Sequence, residues 1–403
     1  KVMELVLQDI DFACENMPEN WNNGSPGYMN RWSALALKSR ICLFEGTWRK
    51  YHGGTNADKW LDEAAKAARE IIDHGGFSLY NTGDPITDYR FSYHQKDLKA
   101  NPEVIYWKKY VDGMNPHDAH NYWVNAQGGM TRSAIDDYLC TDGLPISLSA
   151  LYMGDDDIES VFMNRDPRLR QTVLHPDDAG PNHPLNFNKG DVLPYPRLNG
   201  MSGGIRNYTG YQVIKFYRDE DMIAGANHNE LASIIFGYNE VLLNYAEAKT
   251  ELGIITQSDL DISINKLRER VGMPYLNLNN VPDDPLHNDM NVSDLLVEVR
   301  RERRVELFGD GFRYDDLRRW KLFITECSKP ASYQGLRWND AAISRYTGAN
   351  VNSSIDPNNG KTYINVFKGT AFDPIKLNDK DYLWPIPTFV LTDNPNLGQN
   401  PGW

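Results

Sequence analysis

The chain has 403 residues, enough to bury a substantial hydrophobic core. Acidic residues outnumber basic ones by 55 to 42, which gives a formal net charge of −13. This balance argues against a nucleic-acid partner, because no surplus positive charge is available to replace the counterions of a phosphate backbone. No apolar run approaches the roughly 20 residues that a membrane-spanning helix needs. The composition is typical of a folded protein whose ligand is neutral or cationic.

The four cysteines, Cys14, Cys42, Cys140 and Cys327, show neither CxxC spacing nor zinc spacing with histidines, so no metal site is predicted from them. Cys14 and Cys42 lie among helical apolar residues and are expected to be buried. At Lys1 the sequence is already in helical rhythm, with no capping residue before it. We therefore expect Lys1 to follow a cut inside a longer protein.

The first 76 residues predict three amphipathic helices, from apolar residues at helical spacing. The first covers residues 1–17, the second runs from Ser33 to Glu45, and Gly46 is expected to end the second in a C′ position. The third carries a stripe from Trp60 to Ile71 and stops at Gly75-Gly76. Alanines at the facing positions allow close approach of the last two helices. Alternation of large and small residues is typical of tetratricopeptide-like hairpins, although other helical hairpins can show it.

Residues 77–230 have little helical periodicity and are rich in glycine, proline, asparagine and aspartate. Two short runs, VIYW at 104–107 and YQVIKF at 211–216, predict β-strands. Trp107, inside the first run, is expected in the core. A long irregular stretch within a compact protein is usually functional when it is ordered.

Helical patterns return at 231–272 and again from Asp294 to Phe308, where Ser293 is the expected N-cap. The tail, 330–403, is expected to consist of loops. The prediction is a mostly α protein, a tetratricopeptide-like helical-hairpin scaffold with a loop-rich insertion containing short β-strands. The predicted parts are 1–76 for the first hairpins, 77–230 for the insertion, and 231–403 for the later helices and tail, in one compact unit.

Three patterns point to catalysis or metal binding. Residues 200–204, GMSGG, match G-x-S-x-G, but a nucleophile elbow needs a strand before it and a helix after it, and the flanking residues predict loop. The acidic run at 155–157 lacks the spaced ligands and glycine of a calcium loop and is better explained as a solvated turn or a helix start. The segment 356–362, DPNNGKT, comes nearer a D-x-N-x-G pattern but lacks the later bidentate glutamate, so a turn is the better explanation. An acid pair for glycoside hydrolysis depends on spatial separation, which spacing along the chain does not give. No catalytic residue, metal ligand or cofactor is predicted.

The segment 298–320, EVRRERRVELFGDGFRYDDLRRW, interleaves acids and arginines at one-turn spacings. One interpretation is that the arginines bind an anionic ligand. The near balance of signs favours ion pairs with the neighbouring acids, which would fix a helix–turn–helix.

This segment resembles the signature of the SusD/RagB family of outer-membrane lipoproteins of the Bacteroidota. Four further segments resemble the family in the same order along the chain. They are RWSALALKSRICLFEGTW at 31–48, NRDPR at 164–168, YNEVLLNYAEA at 238–248 with INKLRERVG at 264–272, and LWPIP at 383–387 with NPNLGQNPG at 394–402. Two departures are Gly237, where the family usually has arginine, and the absence of the family's amino-terminal portion.

The resemblance implies a non-catalytic binding protein. Members of the family are held by a lipid anchor on the outer membrane, exposed at the cell surface. They cover a SusC-type TonB-dependent transporter and capture oligosaccharides, or peptides in the RagB branch, for import. The helical repeats face the transporter, and the irregular part carries the ligand site.

A sugar ring is apolar on its faces and polar at its rim, so its site needs aromatic platforms beside amides, carboxylates or arginines. The best cluster in the insertion is Asn121, Tyr122, Trp123 and Asn125. The other candidate ligand-binding residues are Tyr93 (followed by His94 and Gln95), Tyr110 and Trp338. Core packing is the competing explanation for each ring. Peptide capture and, more remotely, a glycosidase remain as alternatives.

Overall fold

A computed structural model describes residues 1–20, 27–118, 129–178, 197–201, 206–218 and 227–403. Its described part is mainly helical, with a few short strands. The helices, numbered α1 to α15 in chain order, are Val2–Asn16, Arg31–Tyr51, Ala57–His74, Asp88–Phe91, Arg132–Asp136, Ile158–Phe162, Pro167–Thr172, Tyr238–Glu251, Gln257–Asp261, Ile264–Arg270, Asp294–Glu306, Arg313–Arg319, Phe323–Ser328, Asp340–Arg345 and Thr388–Asp393. The strands β1 to β5 are Val104–Lys108, Ser233–Gly237, Gln334–Arg337, Ser353–Ile355 and Thr362–Asn365.

The tetratricopeptide-like hairpin is α2 packed against α3, and Gly46 lies at their contact. The prediction that Gly46 ends the second helix is wrong, because α2 continues to Tyr51. A Cβ atom at Gly46 would lie 2.8 Å from Cγ of Leu61 and 3.0 Å from its backbone nitrogen. Glycine at this position therefore allows the two helices to pack closely, whereas the prediction assigned the glycine to the end of the helix.

One apolar core joins the first helices to the later ones. Trp60 of α3, Leu242 and Ala246 of α8 and Leu267 of α10 are all buried in it, together with Cys14 and Cys42. The burial of both cysteines confirms that prediction. The predicted division at residues 76 and 230 stays a prediction, but residues from before the first boundary and after the second share this core.

The later helices follow the sequence pattern with two differences. Ser293 caps α11 as predicted, its side chain accepting a hydrogen bond from the backbone of Leu296. The helical pattern expected from residue 231 begins instead with β2, which pairs antiparallel with β1. The expected partner helix over 260–271 is divided into α9 and α10, separated at Ile262-Ser263.

The predicted strands have mixed outcomes. Strand β1 forms as predicted, and its Trp107 is buried. The run 211–216 is not a regular strand. It makes a single bridge, between Val213 and Val173, and its Tyr211 and Val213 lie in a separate core. The tail contains more structure than expected, because β5 lies between β3 and β4 in an antiparallel sheet. The apolar and β-branched residues of these runs thus predicted which segments are buried, but not how those segments pair with others.

The arginine-rich segment is structural. Glu302 on α11 binds Arg168, with 2.5 Å between Oε1 and Nη1, and Arg268, with 3.0 Å between Oε2 and Nε. Glu306, one turn later, binds Arg168 and Arg270. All of these side chains are buried. The ion-pair interpretation is confirmed, and the pairs reach beyond the segment to the NRDPR turn and to α10.

The acidic runs also have structural roles. Asp157 caps α6 by accepting a hydrogen bond from the backbone of Ser160 at 2.7 Å, so this run marks a helix start. Asp155 accepts hydrogen bonds from Tyr363 and Lys361. Asp356 pairs with Arg132 and accepts the backbone N–H of Asn358 in a turn. Within the described ranges, no group of three or more histidine, cysteine or acidic side chains is placed to hold a metal ion.

Candidate functional site

Helix α4 and the turn after it position one wall of a cavity. Asp88, at the start of α4, accepts backbone hydrogen bonds from Thr82, Gly83 and Asp84. An aspartate that satisfies several free N–H groups fixes the loop leading into the helix. The ring of Phe91, at the end of α4, is 45% exposed. The loop before α4 and this helix therefore hold an aromatic face open to solvent.

Two side chains join α4 to the other walls of the cavity, which are α7 and the segment 214–217. Gln171 of α7 accepts a hydrogen bond from the backbone of Arg90 and donates to the carbonyl of Pro85. The guanidinium of Arg90 donates to the carbonyls of Ile214 and Tyr217, at 3.2 and 2.8 Å. The walls are thus joined by hydrogen bonds, and those of the Arg90 guanidinium are charge-assisted and therefore stronger than average.

These walls line an open cavity of about 740 Å³, called the polar cavity below because charged and amide side chains stand among its apolar lining. Its lining includes Phe91, His94, Gln95 and the ion pair of Arg170 with Asp178. The pair is bidentate, with both N–O distances 2.8 Å, and the arginine side chain is 48% exposed. The hydrogen bond to Asp178 raises the pKa of Arg170. The cavity thus offers a ring face beside an amide, a carboxylate and a guanidinium.

His94 is neutral in this wall. Its Nε2 lies 2.8 Å from the carbonyl oxygen of Lys215, which can only accept, so Nε2 carries the proton. Burial, and then the charge of Arg90, lower the pKa of His94 to about 3. Its ring lies 6.0 Å from that of Phe91. Around neutral pH, His94 therefore supports the aromatic face without adding charge to the cavity.

A second cavity, of about 710 Å³, has different chemistry. Its walls include Met3 of α1, Phe44 of α2 and Phe312 before α12. Arg40 and Glu240 also line it, and they neutralise each other through two N–O contacts of 2.6 Å. This groove is mainly apolar, so it matches a polar-rimmed ligand less well than the polar cavity does.

The sequence-predicted ligand residues are distributed differently from the expectation. Asn121, Tyr122, Trp123 and Asn125 lie outside the described residues, as does Ser202 of the G-x-S-x-G match. Tyr110 is partly exposed, with its ring 4.5 Å from that of His117. Trp338 is partly buried against an apolar cluster. Neither of these two rings belongs to the described lining of the polar cavity.

Tyr93 is corrected by the structure. Its ring is only 7% exposed and packs against Tyr89 and Phe216, while its hydroxyl donates to Asp310 at 2.9 Å. The ring therefore has no free face for a ligand. His94 and Gln95, which follow Tyr93 in the sequence, do line the polar cavity. The sequence did not predict Phe91, Arg170 or Asp178 as site residues. For Phe91, the available signal was an aromatic residue two positions before Tyr93.

Comparisons with known proteins identify the family. The model of the SusD family matches residues 94–403. A SusD-like carbohydrate-binding protein from Bacteroides fragilis is similar at 22% identity and a TM-score of 0.70, over 98% of this chain and 71% of that one. Another SusD-like protein from the same organism has 23% identity and a TM-score of 0.64, over 99% and 70%.

A more distant match is surface glycan-binding protein A from Bacteroides fluxus, at 18% identity and a TM-score of 0.54, over 99% of this chain and 69% of that one. No curated protein matches the chain. Because the family model covers well over half of the sequence, the chain belongs to the SusD family.

Proposed function

We propose that this protein is a non-catalytic, surface-exposed binding protein that captures oligosaccharides for import through a SusC-type TonB-dependent transporter. The observation that carries the proposal is the polar cavity, in which the ring of Phe91 stands beside Gln95 and the Arg170–Asp178 pair. Membership of the SusD family supports it, as does the similarity to a SusD-like carbohydrate-binding protein.

The chemistry of the cavity suits a sugar. The C–H face of a pyranose packs on an aromatic ring, and its hydroxyls both donate and accept hydrogen bonds. Asp178 can accept from a hydroxyl, Arg170 can donate to one, and the amide of Gln95 can do either. A cavity of about 740 Å³ is of the size that small ligands occupy.

No reaction is assigned to the polar cavity. A binding protein needs complementary contacts alone, whereas a glycosidase needs two carboxyl groups facing each other across the scissile bond. In the described lining of the polar cavity, the carboxylate is Asp178, already engaged by Arg170. We therefore assign the site to capture, with any cleavage left to other proteins.

The expected location is the outer face of the outer membrane, with attachment through a lipid. Among the described residues, no helix is both long and apolar enough to cross a bilayer. Attachment through a lipid anchor is what the family resemblance implies.

Titration calorimetry with defined oligosaccharides tests the proposal. Phe91→Ala should weaken binding of the recognised oligosaccharide about tenfold, which is typical for loss of an aromatic anchor. Phe12→Ala is the matched control, because that ring is 67% exposed on α1 and lies outside the cavity lining. Binding of peptides with no binding of any glycan would contradict the proposal and favour peptide capture.

A further inference from the structure

A pair of exposed rings lies where the C-terminal tail meets α12. Trp384 is 68% exposed and Tyr314 is 39% exposed. Their ring centroids are 6.2 Å apart, and the ring planes meet at 54°. The rings therefore form an open corner, since neither ring covers the other. Both lie outside the described lining of the polar cavity.

The Tyr314 side of the corner is held in place. The guanidinium carbon of Arg318 lies 5.2 Å from the Tyr314 ring centroid, and Phe323 packs edge-on at 5.6 Å. Arg318 is itself fixed, because it donates two hydrogen bonds to the carbonyl of Tyr382, at 2.6 and 3.1 Å. The Tyr314 ring is thus supported by residues on α12 and α13.

On the Trp384 side, hydrogen bonds hold the backbone, although the tail around it has few buried side chains. Asn400 donates a hydrogen bond to the carbonyl of Trp384 at 2.6 Å. Gln399 accepts from the backbone N–H of Ile386 and donates to its carbonyl, at 2.8 and 2.9 Å. The indole of Trp403 donates to the carbonyl of Leu383. These bonds fold residues 383–403 back on themselves and fix the backbone from which the exposed indole projects.

Little charge lies along the tail that carries Trp384. The chain carries no charged residue from 382 to 392 or from 394 to 403. Asp315, which follows Tyr314 on α12, lines the second cavity. Two exposed ring faces in an uncharged stretch of chain suit the apolar face of a neutral sugar ring.

The remaining apolar side chains of the tail do not extend this surface as a protein interface would. Phe389, also 68% exposed, makes no ring contact within the described part of the chain. Large exposed apolar patches mark protein contacts, whereas apolar side chains that stand singly are ordinary on protein surfaces. The paired rings are therefore the distinctive feature of the tail.

We infer that the corner formed by Trp384 and Tyr314 is a second carbohydrate subsite, which takes a neutral pyranose unit of the captured oligosaccharide by stacking. The inference rests on the proposed function, and it adds a contact outside the polar cavity. Trp384 is the main platform, and Tyr314 forms the second wall. Binding alters no covalent bond.

Fluorine NMR of protein labelled with 5-fluorotryptophan tests this directly. The Trp384 resonance is identified by its loss in Trp384→Phe. Malto-, cello-, xylo- and mannohexaose are then titrated in turn. A hexaose that binds should shift the Trp384 resonance at the concentrations that saturate calorimetric binding. No shift at saturation would overturn the subsite.

Affinity measurements separate the subsite from the proposed function. Trp384→Ala and Tyr314→Ala should each weaken binding several-fold, up to about tenfold for the tryptophan. Phe389→Ala, equally exposed in the same tail, should leave affinity unchanged. Wild-type affinity in both ring variants would overturn the subsite while Phe91→Ala still tests the cavity. Loss of association with the transporter, with unchanged glycan affinity, would overturn it in favour of protein docking.

Discussion

The buried carboxylate of Glu302 makes a sharp prediction about stability. Each of its oxygens binds a different arginine, Arg168 and Arg268, at 2.5 and 3.0 Å. All three side chains are at most 2% exposed. Glu302→Gln preserves size, but it removes the charge and sets an amide N–H₂ against one of the guanidinium groups. Breaking a buried ion pair in this way costs about 3–5 kcal/mol.

That cost is large against the roughly 5–15 kcal/mol that usually separates folded from unfolded protein. Unfolding in guanidinium chloride, followed by both tryptophan fluorescence and circular dichroism, measures this loss of stability. The slope of the transition is compared as well as the midpoint. The matched control is Asp62→Asn, which breaks an exposed pair with Lys66 and should cost less than about 1 kcal/mol. Equal stability of the two variants would refute the conclusion that the buried ion pairs of Glu302 hold the fold together.

Further predictions concern packing and acid sensitivity. Gly46→Ala should destabilise the protein by about 1–3 kcal/mol, despite the better helix propensity of alanine, because its Cβ would meet Leu61. Gly398→Ala, with open space around it, should be nearly neutral, and thermal unfolding compares the two variants. Burial would raise the pKa of Glu306, but Arg270 and Arg168 hold it at about 2, below its ordinary 4.5. A lowered pKa stabilises the folded state above about pH 4.5, and this contribution disappears as the pH falls towards 2. Glu306→Gln should therefore flatten the loss of stability over this range, and an unchanged pH slope would contradict the assignment.

Much of the helical scaffold was predictable, because its long helices carry their own apolar stripes, whereas the short helices α4 to α7 lie in the part without helical periodicity. The stripe from Trp60 to Ile71 predicted α3, and the glycines after it marked its end. Gly46 shows the limit of that reasoning, since a glycine at a helix contact and one at a helix end look alike in sequence. The pairing of β1 with β2 joins strands more than a hundred residues apart, so no local pattern predicted it.

The candidate site was predicted only in part, for a geometric reason. Tyr93, His94 and Gln95 follow the short helix α4, where successive side chains point in different directions. The structure turns the tyrosine ring into the core and leaves the other two on the cavity wall. Arg170 and Asp178 belong to the cavity because α7 packs beside α4, which spacing along the chain does not reveal. The arginine-rich segment was correctly interpreted as ion pairs, while its partners at Arg168 and Arg268 required the fold.

The most direct test of the central claim follows both the ligand and its chemical fate. The purified protein is incubated with a mixture of oligosaccharides and peptides, and bound and free fractions are compared by mass spectrometry. Capture without chemistry predicts that oligosaccharides are enriched in the bound fraction and recovered at their original length. Enrichment of peptides alone, or recovery of shortened glycans, would contradict the account.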